Sequence, residues 1–425
     1  MIILLSIIVV VIAALARTYE PHLFPHGYAV EIPPQHRPAI SKVDPSNISL
    51  RLSSGKLTKI YERKEEGEGQ VPLLVHPETI IFDNHGKMYI MNENAKLVSL
   101  TDFEPMTGTN GEASSSIMTA KATEVADLGV GAPLGGKFDN KGCLYFADAV
   151  LGLARICNLP DDTSTTTIPT KPKPYVELVA SRVQLEDGSW SSINYADDVD
   201  IGPRTGHVYF SDASDVKSDR DPISGSWDIM YASKLEGVRG KRTGRLLRYI
   251  PETGKVDILA TGGAFTNGVA VNADETYVLY TSTFEGSVMK YPLNEEGAKP
   301  ERILDNFPGF LDGVDCSFQS GLCYVAIATP MDPLVGAIFA MPTWIGRPIR
   351  SFLMMLPKSL APKVKQYGAA AEIHPGDENS PARITRIFQD PDGRDVSTVT
   401  GVTEHDGKLY LGSLHANSVG VVTLE

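Results

Sequence analysis

The sequence predicts an all-β fold, a six-bladed β-propeller, and two observations carry that expectation. One pattern recurs six times: an apolar alternating strand, a short turn that often holds Gly, and a second strand with Tyr near its start. Most copies are followed by a further strand, so each repeat of roughly 45 to 90 residues carries about four strands, which is the signature of a propeller blade.

The six hairpins fall at 80–90, 136–146, 199–210, 269–280, 314–325 and 402–411. Third strands follow at 154–157, 287–293 and 418–424, and 56–61 is the candidate by which the start of the chain joins the last blade. Such a join closes the ring and leaves only short edges. Three segments interrupt the repeat. Residues 109–119 are small and polar and read as a loop. Residues 212–243 are charged and Gly-rich and read as a rim loop. Residues 341–367 mix apolar Trp344, Ile349, Phe352 and Met355 with basic Arg347, Arg350, Lys358, Lys363 and Lys365. They read as one or two short helices, broken by Pro348, Pro357 and Pro362, that cap the propeller; a membrane surface suits the same mixture.

A formal net charge of −13 argues against nucleic acid, which wants basic patches, and suits a cation site. Residues 1–16 are almost wholly apolar and end in Ala14-Leu15-Ala16 before Arg17. A cleaved signal peptide and an uncleaved anchor both fit, because 16 residues is short of the roughly 20 that span a bilayer and the positive n-region is missing. Either route sends the chain into the secretory pathway: the endoplasmic reticulum or plasma membrane if anchored, secreted or vacuolar if cleaved. Residues 17–50 then form an extension and 51–425 the propeller. Asn47-Ile48-Ser49 is a glycosylation sequon in that compartment. Cys143 with Cys157, and Cys316 with Cys323, flank turns symmetrically; disulfides and buried free thiols both fit that placement. The residues carry no signal of oligomeric state.

The chemistry is expected at the strand starts. Phe265-Thr266-Asn267-Gly268 places an amide ahead of an apolar run, and Glu78, Asp197 and Asp312 hold the same place in His76-Pro77-Glu78, Tyr195-Ala196-Asp197 and Phe310-Leu311-Asp312. Four oxygen donors at one phase of a repeat converge on the central channel. Three carboxylates and an amide suit calcium, a hard cation that takes six to eight oxygen ligands including water.

Several motifs resemble the strictosidine synthase-like family, including the adipocyte plasma membrane-associated protein group. They are His76-Pro77-Glu78, Ala132-Pro133-Leu134-Gly135, Tyr145-Phe146-Ala147-Asp148-Ala149, Val208-Tyr209-Phe210-Ser211-Asp212, Thr243-Gly244-Arg245-Leu246-Leu247, Phe265-Thr266-Asn267-Gly268 and Glu404-His405-Asp406-Gly407-Lys408-Leu409-Tyr410. The resemblance covers about 56–424. It implies a six-bladed propeller and, more distantly, the calcium-dependent lactonases and arylesterases. Two departures matter. The synthases use a Glu where this chain has Thr400 and a His where it has Thr398, and a hydroxyl cannot be the base for their amine–aldehyde condensation. Metal-binding relatives usually have Asn where this chain has Asp197. The expectation is an ester or lactone hydrolase with Glu78, Asp197, Asn267 and Asp312 on the metal. Asp312 or Asp197 is expected to activate water or attack directly, and His415 or His76 to approach the channel as a base. No Gly-x-Ser-x-Gly elbow is present for a serine nucleophile. The alternative is a non-catalytic propeller whose structural calcium plugs the channel of a membrane-associated binding module.

Overall fold

The computed structural model describes residues 49–52, 57–63, 72–107, 113–160, 174–221, 224–305, 307–331, 333–356 and 366–424, together with Ala14 and Thr18. The N-terminal apolar segment, as a signal or anchor, and the Asn47 sequon lie outside the described residues. Among the described residues no helix is long and apolar enough to cross a membrane.

The chain is all-β and propeller-like. Its inner strands are β1 (Ile80–Phe82), β2 (Pro133–Phe138), β3 (Ala196–Ile201), β4 (Thr266–Val271), β5 (Gly309–Cys316) and β6 (Val399–His405). Each opens an antiparallel meander: β4, for example, pairs with Tyr277–Ser282, then Ser287–Pro292, then Glu301–Leu304. The inner strands neighbour one another in a closed cycle that runs from β1 to β6 and back to β1. Buried aliphatic and aromatic residues fill the space between successive sheets, Tyr209 and Val278 between the sheets of β3 and β4, Leu144 and Ile81 between those of β1 and β2. Each fully buried side chain of that size contributes about 1.5–3 kcal/mol.

Closure follows the expected route and adds a second device. Leu57–Glu62 pairs antiparallel with Val419–Thr423, the third strand of the meander that β6 opens. Its other edge pairs parallel with Ala113–Asp127, in the sheet of β1, so one strand joins the first and last sheets. Ser49–Arg51 adds to the outer edge of the β5 sheet by pairing parallel with Arg383–Asp390. Both cysteine pairs are disulfides, Cys143–Cys157 and Cys316–Cys323.

Three expectations need correction. Residues 113–119, taken as part of a polar loop, are strand: Ala113–Asp127 gains a hydrogen-bonded partner on each side, and that pairing overrides the weak strand propensity of Ser and Ala. The stretch 212–243, taken as a rim loop, holds the helix α1 (Ile229–Arg239). Asp228 caps it by accepting from the Tyr231 N–H at 3.0 Å, and Gly240 ends it at φ 68°. The cap begins earlier than 341, with α2 (Pro333–Ala340) and then α3 (Thr343–Met355). Pro348 sits inside α3 and does not break it; the helix forgoes one backbone bond there and is held by packing, with Met354 against the cluster of Ala232, Leu235 and Phe265. Pro357 and Pro362 lie outside the described residues.

A candidate cation site in the central channel

Glu78, Asp197, Asn267 and Asp312 all line one channel of about 190 Å³ on the axis of the inner strands. Glu78, Asp197 and Asn267 are buried and Asp312 is partly buried. The sequence reading placed each just ahead of a strand. Glu78 does precede β1, but Asp197, Asn267 and Asp312 lie inside β3, β4 and β5. Each sits where the pairing register with the next strand slips, between Ala196 and Val199, Thr266 and Val269, and Leu311 and Val314. A bulge at that point re-aims a side chain that regular alternation would send elsewhere. The same slip occurs in β2 between Pro133 and Gly136, and in β6 between Val399 and Gly401. The equivalent residues there are Leu134 and Thr400.

The inner strands meet closely because small residues follow the bulges. A Cβ on Gly268 would sit 2.4 Å from the Val314 nitrogen. The Glu78 carbonyl oxygen is inserted between two glycines, where a Cβ on Gly401 would meet it at 2.0 Å and one on Gly412 at 1.7 Å. Near the carboxylates runs a chain of aromatics, whose Tyr195 is close enough to Asp197, Glu78 and Asp312 to feel their charge. Tyr195 meets Phe265, Phe265 meets Phe284 and Phe284 meets Phe310 edge-on, with centroids 5.1, 5.6 and 5.7 Å apart.

The electrostatics are those of an uncompensated anionic cluster. Burial pushes the Glu78 carboxyl well above the usual carboxylate range, and Asp312 and Asp198 push it further. Asp197 is raised by burial and then by Glu78, Asp312 and Asp198. Asp312 is raised by burial and by Asp198, against a hydrogen bond from Asn267 that lowers it. Glu78 Oε2 and Asp197 Oδ2 are buried with no hydrogen-bond partner. Buried carboxylate oxygens facing other carboxylates are costly unless a cation joins them. Among the described residues no three His, Cys, Asp or Glu side chains stand together closely enough to hold a metal ion as they are placed. The donor set nevertheless fits a hard divalent ion: it is all oxygen, three carboxylates and an amide, with orphaned atoms turned to a common cavity.

A second layer, which the sequence reading did not single out, lies one step along the strands. The Lys137 ammonium of β2 stands 3.3 Å from Asp200 and 3.5 Å from Asp315. Burial alone would lower the lysine; the two carboxylates outweigh it and raise it. Asp198 and Asp200 of β3 accept the Val269 and Val271 N–H groups of β4 at 2.9 and 2.8 Å, and Asp315 of β5 accepts Glu404 N–H of β6 at 2.8 Å. Burial raises Asp198 to about 7. These residues stitch neighbouring inner strands. Their signal was available: Lys137, Asp200 and Asp315 each stand three places after a bulge residue.

Glu78 also borders a second cavity, a groove of about 560 Å³ lined by His76, Met91, Val130, Trp227, Met230 and His415, among others. His76 Nδ1 is 2.7 Å from Glu93 Oε2, and the His76 and His415 rings lie 6.4 Å apart. Burial, then His76 and Lys234, lower His415 below the ordinary histidine value. Both histidines named from the sequence therefore line the groove, which shares Glu78 with the channel, and neither lines the channel itself.

Fold and channel together define a propeller-like chain with an anionic central channel. In sequence the chain is similar to the strictosidine synthases: the family model described as Strictosidine synthase matches residues 197–296, which run from Asp197 past Asn267. It is similar to Protein STRICTOSIDINE SYNTHASE-LIKE 2 of Arabidopsis thaliana, 27% identical over 68% of this chain and 70% of that protein. It is also similar to the adipocyte plasma membrane-associated protein of Rattus norvegicus, 28% identical over 69% of this chain and 70% of that one. The solved structure of a gluconolactonase from Xanthomonas campestris superposes with a TM-score of 0.52 at 12% identity, covering 91% of this chain and 97% of its own, a likeness of fold.

Proposed function

We propose that the chain is a six-bladed propeller hydrolase that cleaves carboxylic esters or lactones with a divalent cation, calcium by its ligand chemistry, in the central channel. The observation that carries this reading is the convergence of Glu78, Asp197, Asn267 and Asp312 on one channel, where burial first, and then Asp198 and neighbouring carboxylates, raise the three acids. These four residues would hold the ion. When bound, it supplies Lewis-acid polarisation of the substrate carbonyl and stabilises the oxyanion that develops.

The remaining steps belong to the protein. Asp312, or Asp197 beside it, takes a proton from the attacking water or attacks the carbonyl itself. Burial, then His76 and Lys234, lower His415 below the ordinary histidine value, so its neutral ring can take over the proton that the carboxylate removed from water and deliver it to the leaving oxygen. Glu93 fixes the neighbouring His76. Met91, Val130, Trp227 and Met230 give the substrate an apolar wall. Thr400 holds the place of the synthase Glu and cannot serve as that base, so no amine–aldehyde condensation is expected. The paired cysteines and the sequence likeness to a plasma membrane-associated protein support a protein of the secretory pathway, at or near a membrane.

The test is hydrolysis of phenyl acetate and of small lactones by the purified chain, with and without chelator. Turnover that EDTA removes and calcium restores supports the enzyme. Calcium-dependent thermal stabilisation with no turnover across the panel supports instead the binding module with a structural ion.

A further inference from the structure

The channel holds a fifth oxygen donor that the four-residue set omits. Thr400 lies in β6 at the register slip between Val399 and Gly401, the position equivalent to Asp197, Asn267 and Asp312. The residue two places before it, Thr398, has φ 51°, as His76 before Glu78 has φ 47° and Phe265 before Asn267 has φ 64°. A local backbone feature shared by three strand starts gives the three side chains the same approach to the axis. In the cycle of inner strands β6 stands between β5 and β1, so Thr400 is flanked by Asp312 and Glu78. Thr400 lines the same channel, is 4% exposed, and its Oγ1 is buried with no hydrogen-bond partner.

A buried hydroxyl without a partner is costly, and threonine is not needed there for packing, since valine has the same shape. Two carboxylate oxygens, on Glu78 and Asp197, are orphaned in the same channel. One occupant that satisfies all three atoms at once is a hard cation, which accepts neutral hydroxyl oxygen along with carboxylate and amide. We propose that Thr400 is a direct ligand of the channel cation, so that five of the six equivalent ring positions coordinate and Leu134 is the sole apolar one. This rests on the cation reading of the channel and extends it. It also gives Thr400 a positive role: the residue that removes the synthase base supplies a metal ligand in its place.

The experiment uses terbium(III) as a luminescent substitute for calcium in the full chain. Emission lifetimes in H2O and D2O count the waters on the bound ion, and calcium titration gives affinity. Thr400→Val is expected to add one water and to weaken calcium binding by on the order of tenfold. Thr400→Ser, which keeps the hydroxyl, is expected to leave the water count unchanged. Circular dichroism confirms that both variants fold, and the serine variant carries the test if the valine variant does not: a serine variant that gains a water overturns the proposal. An unchanged water count and affinity in Thr400→Val also overturns it while leaving the four-residue site standing. A wild-type chain that binds neither ion removes the cation reading itself.

Discussion

Replacing Gly401 with Ala tests the close meeting of inner strands on which the channel depends. The new Cβ would lie 2.0 Å from the Glu78 carbonyl oxygen and 3.0 Å from its carbon. It falls roughly 1.4 Å short of ordinary contact, against backbone and not a flexible side chain. The carbonyl cannot retreat toward the next strand, because Gly412 already encloses it from there. Either β6 or the segment carrying Glu78 must move. Overpacking of this kind costs about 1–3 kcal/mol. For a chain of this size, with unfolding entropy of about 2 cal/mol/K per residue, that is a fall of about 1–4 °C in melting temperature. The functional effect is larger, because Glu78 is displaced with its backbone, and a misplacement of about 1 Å can cost 100-fold. The assay is calorimetric melting with and without calcium, together with calcium titration. Gly142→Asn is the control: φ is 80°, nothing lies within 4 Å, and Asn tolerates that conformation, so it should change neither quantity. Wild-type melting and wild-type calcium affinity in Gly401→Ala would refute the reasoning, since the β6–β1 contact would then not be tight enough to position Glu78.

Four further outcomes are expected. In EDTA the chain should be more stable at pH 5 than at pH 8. Carboxyls raised in the folded state contribute stability that is present below their unfolded values near 4 and lost as pH climbs through the folded ones, about 7 for Asp198; excess calcium should reverse the order, and melting curves in the two conditions decide it. Asp312→Asn should abolish calcium-dependent stabilisation and cut ester turnover by about 100-fold or more, while the metal-free protein becomes no less stable at pH 8, because the substitution removes a crowded charge. Reduction of Cys143–Cys157, whose partners are 14 residues apart, should cost about 3 kcal/mol, and that of Cys316–Cys323, 7 apart, about 2.5 kcal/mol; melting of the Cys143→Ser and Cys316→Ser variants measures both. Incubation with tryptamine and secologanin should give no condensation product, and any product would return Thr400 and its surroundings to the search for a base.

The sequence alone made legible six inner hairpins, the return of the strand near 57–62 to the last sheet, and four side chains that line one channel. It could do so because alternation and turn chemistry are local, and because repetition marks equivalent positions: Asn267 is uninformative alone and telling beside Glu78, Asp197 and Asp312. Helix α1 was missed because Ile229–Arg239 has little apolar patterning of its own and is held by caps and by burial of Ala232 and Leu235 under the rim. The strand 113–119 was missed because its partners, near Lys59 and Glu104, are remote or lie across a long hairpin. Only the tertiary structure decided which atoms are orphaned. The Thr400 hydroxyl, the Lys137 bridge to Asp200 and Asp315, and the clamp of Gly401 and Gly412 on the Glu78 carbonyl depend on strands about 60 to 320 residues apart. Their proximity is set by closure of the ring, which no local pattern encodes.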